Sequence, residues 1–298
     1  VSEGGSDEFS SDVTDLEDPL RMGGWREIDS NMQLWSPSPN IFVNGDSYLK
    51  GFLGLDWLPS NDAIRNKQRY ETWCKQSLST LLSKYTSYWV MKEVFAKTPK
   101  RVTMEPLREE DTTPPPDIPK EWINPMDFQC KAKVDPSDLQ KATKSGMQVG
   151  DNEKVKGLGT GSDAVLRINP WNYHNVGGKC PVAPGRGGDE ILLHEMVHAL
   201  SSLMGKLANT AVGPLDYTNL EEFTAIVIAN VYSSETKRPL RADHGGFDLL
   251  KPALSTSQAF YDKYKDYLQQ VVRNHPNLTK KLAEATGIPF NPFTLCSV

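Results

Sequence analysis

The chain predicts an α+β fold, mainly helical, with a small mixed sheet over one central helix. Three observations carry that reading. Apolar residues recur at helical spacing over several long stretches. Runs of β-branched residues are few and short. The stretch 189–205 is strongly apolar, yet it holds His194-Glu195-Met196-Val197-His198 at its centre.

Residues 1–39 read as an acidic N-terminal arm or tail. Asp7, Glu8, Asp12, Asp15, Glu17 and Asp18 lie among serines, while Trp25 and Trp35 ask for a surface to cover. Residues 40–298 read as one domain. Ile41-Phe42-Val43, then Asn44-Gly45, then Tyr48-Leu49, predict a hairpin. From Ser60 a helix is expected to run to about Phe95, broken once, with Tyr70, Trp73, Leu78, Leu81, Trp89 and Val90 on its apolar stripe. Residues 100–106 predict a short strand. Residues 107–161, with the run Pro114-Pro115-Pro116, predict a Pro-rich surface insertion holding one short helix at 137–144.

The clearest strand is 163–169, which alternates and ends at Asn169-Pro170. A glycine-rich loop, 171–188, follows it and is expected to border a cleft. Asp189 is the expected N-cap of the next helix, and Gly205 its terminator. Further helices are expected at 217–234, 258–274 and 278–286, the last two separated by His275-Pro276.

A net charge of −5 without a concentrated basic stripe argues against nucleic-acid binding. No apolar run is long enough to span a membrane. The chain opens at Val1 on an acidic, polar stretch without a signal-peptide pattern, as expected of a processed chain or an excised fragment. Cys74, Cys130, Cys180 and Cys296 form no C-x-x-C pair, so a cysteine zinc site is not expected; two disulfides and reduced thiols both fit.

Residues four apart on a helix share a face. His194 and His198 can therefore offer two imidazole nitrogens to one metal ion, with Glu195 beside them to take a proton from a metal-bound water. Polar groups in so apolar a helix are costly unless partnered. A catalytic zinc needs a third protein ligand and one open position. Downstream stand Glu221, Glu222, His244 and His275. Thr218-x-x-Glu221 fits a capping box, which would occupy Glu221 and leave Glu222 free. Glu222 is the favoured third ligand and Glu221 the alternative.

H-E-x-x-H followed by a helix-borne Glu resembles the gluzincin zinc peptidases. Within that clan the chain is similar to the NleD-type bacterial effector peptidases. The similarity lies in Leu193-His-Glu-Met-Val-His-Ala199, in Asn219-Leu-Glu-Glu-Phe223, in Arg238-Pro-Leu-Arg-Ala-Asp-His244 and in the strand Arg101-Val-Thr-Met-Glu105. It covers 90–246. The resemblance implies a zincin-like fold and zinc held by His194, His198 and Glu222. It implies Glu195 as general base, and an endopeptidase acting on a protein or peptide. In zinc peptidases the strand before the metal helix commonly edges the cleft and pairs with an extended substrate, a role that would fall to 163–169 here. A secreted or translocated bacterial effector or toxin is the setting it implies, with a cytoplasmic place as the alternative.

Peptide hydrolysis develops an oxyanion, which zinc and a second donor stabilise. Arg241-Ala-Asp-His244 keeps the spacing of the Arg-x-x-Tyr pair of clostridial neurotoxin peptidases, with His in place of Tyr. His244 is the candidate oxyanion donor and Arg241 the candidate holder of the substrate carbonyl, with Asp243 orienting either one. Tyr217 is an alternative donor, and His174 a candidate for the cleft rim. Two other functions compete: a peptidoglycan or small-peptide hydrolase, and a non-catalytic metal-binding interaction module. An intact Glu195 argues against the last, since a structural metal site needs no base.

Overall fold

The computed structural model describes residues 26–29, 32–34, 38–48, 61–107, 132–144, 157–172, 180, 182–208, 210, 212, 217–245 and 247–297. Most of the acidic arm, the proline run, His174 and Cys130 lie outside them. The fold is α+β. Six strands form one mixed sheet: β1 (Arg26–Asp29), β2 (Met32–Leu34), β3 (Ile41–Val43), β4 (Val102–Glu105), β5 (Ala132–Pro136) and β6 (Ala164–Ile168), in the order β1-β2-β3-β4-β6-β5. Strands β3, β4 and β6 run parallel, and β5 closes one edge antiparallel to β6. Seven helices lie among the described residues: α1 (Asn61–Leu82), α2 (Tyr85–Phe95), α3 (Leu139–Ala142), α4 (Gly188–Met204), α5 (Leu220–Glu235), α6 (Ser257–Asn274) and α7 (Pro276–Glu284).

The sheet takes its inner face from alternation. Ala164, Leu166 and Ile168 of β6 are buried on the side that packs on α4, and Val102 and Met104 of β4 are buried in the same core. Arg167 turns the other way and pairs with Asp135 of β5 and Glu105 of β4. Helix α4 is buried from Gly188 to Leu203. Such a helix must meet protein on every side, and α1, α2, α5, β5 and β6 supply it.

Helix α5 runs antiparallel to α4, and side chains lock the pair at one end. Tyr232 donates to Asp189 at 2.7 Å, Arg238 to Asp189 at 2.8 Å, and Ser233 to Glu190 at 2.5 Å. Burial pushes the Asp189 carboxyl up, but the Arg238 and Tyr232 hydrogen bonds more than offset this and hold it below the ordinary range. Asp189 is thus not the N-cap of α4. Gly187 is, and Glu190 accepts its N–H at 2.9 Å. Asp189 is drawn inward by Tyr232 and Arg238 instead.

Three other expectations change. Residues 41–48, the described part of the expected hairpin, do not form one. The Asn44 side chain accepts from Asp46 N–H at 3.0 Å, and the chain turns into a short 3-10 helix, Asp46–Tyr48. Strand β3 pairs with β2 and β4 instead. The segment read as an insertion supplies, in its described part, the edge strand β5 and the short helix α3, where a helix is expected. Strand β6 does not edge the cleft, because β4 and β5 flank it on both sides.

The break between α1 and α2, and the helices on either side of His275-Pro276, follow the sequence. Cys74 and Cys296 are free and buried, and Cys180 is disulfide-bonded. No helix among the described residues is long and apolar enough to cross a membrane.

Gly205 ends α4 in the left-handed region, with φ 66°. A Cβ there would lie 2.2 Å from the Gly159 carbonyl oxygen. Lys100 donates to the Leu203 carbonyl at 2.9 Å and complements the helix C-terminus. Gly205→Ala is expected to lose about 2 kcal/mol or more of stability, from left-handed strain plus that clash. Urea unfolding measures it; an unchanged midpoint would show that the turn relaxes freely.

Candidate metal centre

The site forms where α4 passes the first turn of α5 beneath β5. His194 and His198 stand one turn apart on α4, and their Nε2 atoms lie 3.0 Å from each other. Glu222 Oε2 lies 3.2 Å from His194 Nε2 and 3.4 Å from His198 Nε2. Two ligands of a tetrahedral zinc at about 2.0–2.1 Å are about 3.3 Å apart, so the trio has the spacing of a shared ion. The three residues form a group suited to holding a metal. Glu222 Oε2 is buried with the Nε2 atoms of His194, His198 and His244 3.2, 3.4 and 3.3 Å away, a carboxylate oxygen ringed by imidazole nitrogens as a shared cation would have it.

Local sequence explains how Glu222 gets there. The N-cap of α5 is Asn219, whose side chain accepts from Glu222 N–H at 2.9 Å. Leu220 N–H and Glu221 N–H are met by the carbonyls of Thr210 and Ala208. The first turn is thus satisfied without either glutamate side chain. The expected Thr218–Glu221 capping box does not form, because the helix starts one residue later. Thr218 Oγ1 lies instead 3.1 Å from His244 Nδ1.

Glu221 turns to His198. Its Oε1 lies 3.1 Å from His198 Nδ1, and its Oε2 accepts from Ala208 N–H at 3.1 Å. With Nδ1–H donated to a carboxylate, the ring presents Nε2 to the site. His194 Nδ1 is buried and has no such partner. Glu221 thus lies against His198 Nδ1 and outside the group of His194, His198 and Glu222 that could hold a metal. Adjacent acids at N2 and N3 of a helix, both reaching a histidine-bearing neighbour, are the signal that a capping-box reading overlooks.

The electrostatics favour a cation. Burial pushes His194 down to about 3, leaving it neutral with a lone pair to offer. Burial also opposes charge on His198, but Glu222 and Glu221 more than offset this and hold its proton well above the ordinary range. That proton marks where positive charge is welcome, and a metal would displace it. Burial raises Glu195 to about 7. Among the described residues no hydrogen bond or ion pair engages the Glu195 side chain, which faces the same cavity.

That cavity has a volume of about 240 Å³. Residues of β5 roof it, including Val134 and Pro136; α4 and the start of α5 form its floor and wall. His244 also lines it, with Nε2 3.3 Å from Glu222 Oε2 and its ring parallel to that of His194. Arg241 does not line it. Its Nε donates to the Asp243 carbonyl at 2.6 Å, Nη2 donates to the His244 carbonyl, and the guanidinium stacks on Phe247 at 3.6 Å. Arg241 therefore shapes the loop that carries His244.

The described part of 171–188 does not border the cavity; Gly185 instead packs on the Arg241 side chain. Tyr217 is buried edge-on to Phe223 and Tyr264, away from the lining. His275 is buried behind α4, 3.4 Å from Ser201 Oγ. Comparison with protein-family models, curated proteins and solved structures finds no match.

Chelator competition separates the two acids. Glu222→Gln is expected to empty the site, since a neutral amide is a poor zinc ligand. Glu221→Gln is expected to keep the metal with roughly 10- to 100-fold weaker affinity, through the loss of its hold on His198. The reverse order would exchange their roles.

Proposed function

We propose that the chain is a zinc-dependent endopeptidase of gluzincin type on a zincin-like fold. The observation that carries this is the convergence of His194, His198 and Glu222 beside a buried carboxylate that no bond among the described residues occupies. His194, His198 and Glu222 would hold the zinc, which, when bound, supplies a Lewis acid that makes water nucleophilic near neutral pH.

The chain's own groups do the rest. Glu195 takes the proton of the attacking water and delivers it to the leaving amine. Its burial keeps it basic enough for the first transfer. His244 Nε2 faces the cavity and donates to the oxygen on which charge develops. Thr218 and Arg241 hold His244 in place, one through its ring and the other through its carbonyl. The outer edge of β5 carries no strand partner among the described residues. An extended substrate can add there as a further strand, with its backbone held over the site.

The resemblance to NleD-type effectors makes a translocated bacterial protein, acting on a host or competitor protein, the setting of this reading. A non-catalytic metal module would leave Glu195 without a task, buried and unpaired, at a cost to stability.

Glu195→Gln tests the reading. The variant keeps the shape of the side chain without its basicity, so zinc should stay bound while cleavage of an unfolded protein such as casein falls by roughly a hundredfold or more. Full activity with zinc in place would assign the base elsewhere. A zinc-loaded wild type that cleaves cell-wall fragments but no protein would favour the peptidoglycan hydrolase.

A further inference from the structure

Helix α4 carries one more polar side chain to the cavity, which the metal centre does not use. Ser202 follows His198 by four residues, so it stands on the same face one turn further along. It is 0% exposed, and its hydroxyl has no hydrogen-bond partner among the described residues. A hydroxyl inside a helix usually bonds back to the carbonyl four residues earlier. Thr224 does so in α5, donating to Leu220 O at 2.7 Å. Ser202 does not, and a buried unpaired hydroxyl is costly.

Its neighbours in the cavity wall are mixed. Val134 and Pro136 of β5 and Leu207 are apolar, while Asn219 is polar and uncharged. The lining acids are Glu195, Glu221 and Glu222, and Lys133 is the lysine of the lining. Lys133 pairs with Asp135 at 3.2 Å, and Glu221 and Glu222 lie against the two histidines, so apart from the base Glu195 the charges of the wall are already engaged and do not call for a charged side chain. A volume of about 240 Å³ leaves room for one side chain of modest size beside the reacting group.

We propose that Ser202 is the polar floor of a substrate side-chain pocket. It selects, next to the cleaved bond, an uncharged residue of the serine, threonine or asparagine class, whose polar end meets the Ser202 hydroxyl. The inference rests on the peptidase reading above. It assigns Ser202 to specificity and not to the chemical step.

Ser202→Ala is tested in two ways. Zinc-loaded wild type and variant receive peptide pairs that differ only as Thr against Val at each position flanking the bond. Thr and Val have nearly the same shape, so the comparison isolates the hydroxyl. The wild type should favour the Thr peptide at one position by roughly three- to tenfold in kcat/KM, and the variant should lose that preference. Without substrate, the variant should melt at or above the wild-type midpoint, because it sheds an unpaired buried hydroxyl. Equal handling of Thr and Val by the wild type overturns the inference. So does a preference that survives in Ser202→Ala, or a variant that melts well below wild type, which would mean the hydroxyl has a structural partner. If the zinc-loaded wild type cleaves no peptide at all, the peptidase reading itself fails and takes this inference with it, whatever the melting result.

Discussion

The constraint on which the structure depends is the burial of two imidazoles on α4, a helix with no solvent face. Such groups are costly in a core unless each finds a partner. Here the partners come from one neighbour. Helix α5 brings Glu221 to His198 Nδ1 and Glu222 to the Nε2 atoms of both histidines. Without α5 in that register, α4 would carry unpaired polar groups into the sheet and the surrounding helices. Fold and site are therefore one problem with a shared solution.

The register of α5 is fixed from both ends. At one end Tyr232 and Ser233 bond Asp189 and Glu190 in the first turn of α4. At the other, Asn219 caps the helix, and the backbone at Ala208 and Thr210 takes up its first N–H groups. These ties leave the two glutamate side chains free to reach across. A helix pair pinned this way can hold three ligand atoms within a few tenths of an ångström of the spacing a metal asks for, which a loop-borne site seldom achieves.

Much of this was legible in the sequence where a local rule decides the outcome. The spacing of His194 and His198 follows from helix geometry alone, and Gly205 from the need for a left-handed residue at the end of α4. What local rules missed was decided by distant partners. Thr218 and Asn219 are both good caps, and the choice between them depends on His244, which takes up Thr218. Asp189 is a good cap that Tyr232 and Arg238 claim from the far end of α5. Residues 132–136 carry too little apolar pattern to announce a strand. They become one because the exposed edge of β6 offers five residues of ladder. Arg241 has the spacing of a partner to His244, and two of its five N–H donors meet the Asp243 and His244 carbonyls, a loop contact that the spacing does not announce.

The central claim is that one zinc sits between two imidazoles and a carboxylate drawn from α4 and α5. Zinc-edge X-ray absorption of the purified protein tests it most directly. The account predicts a first shell of nitrogen and oxygen alone at about 2.0–2.1 Å, with the outer-shell signature of two imidazole rings. A sulfur contribution at about 2.3 Å, or the signature of a single imidazole, would contradict it.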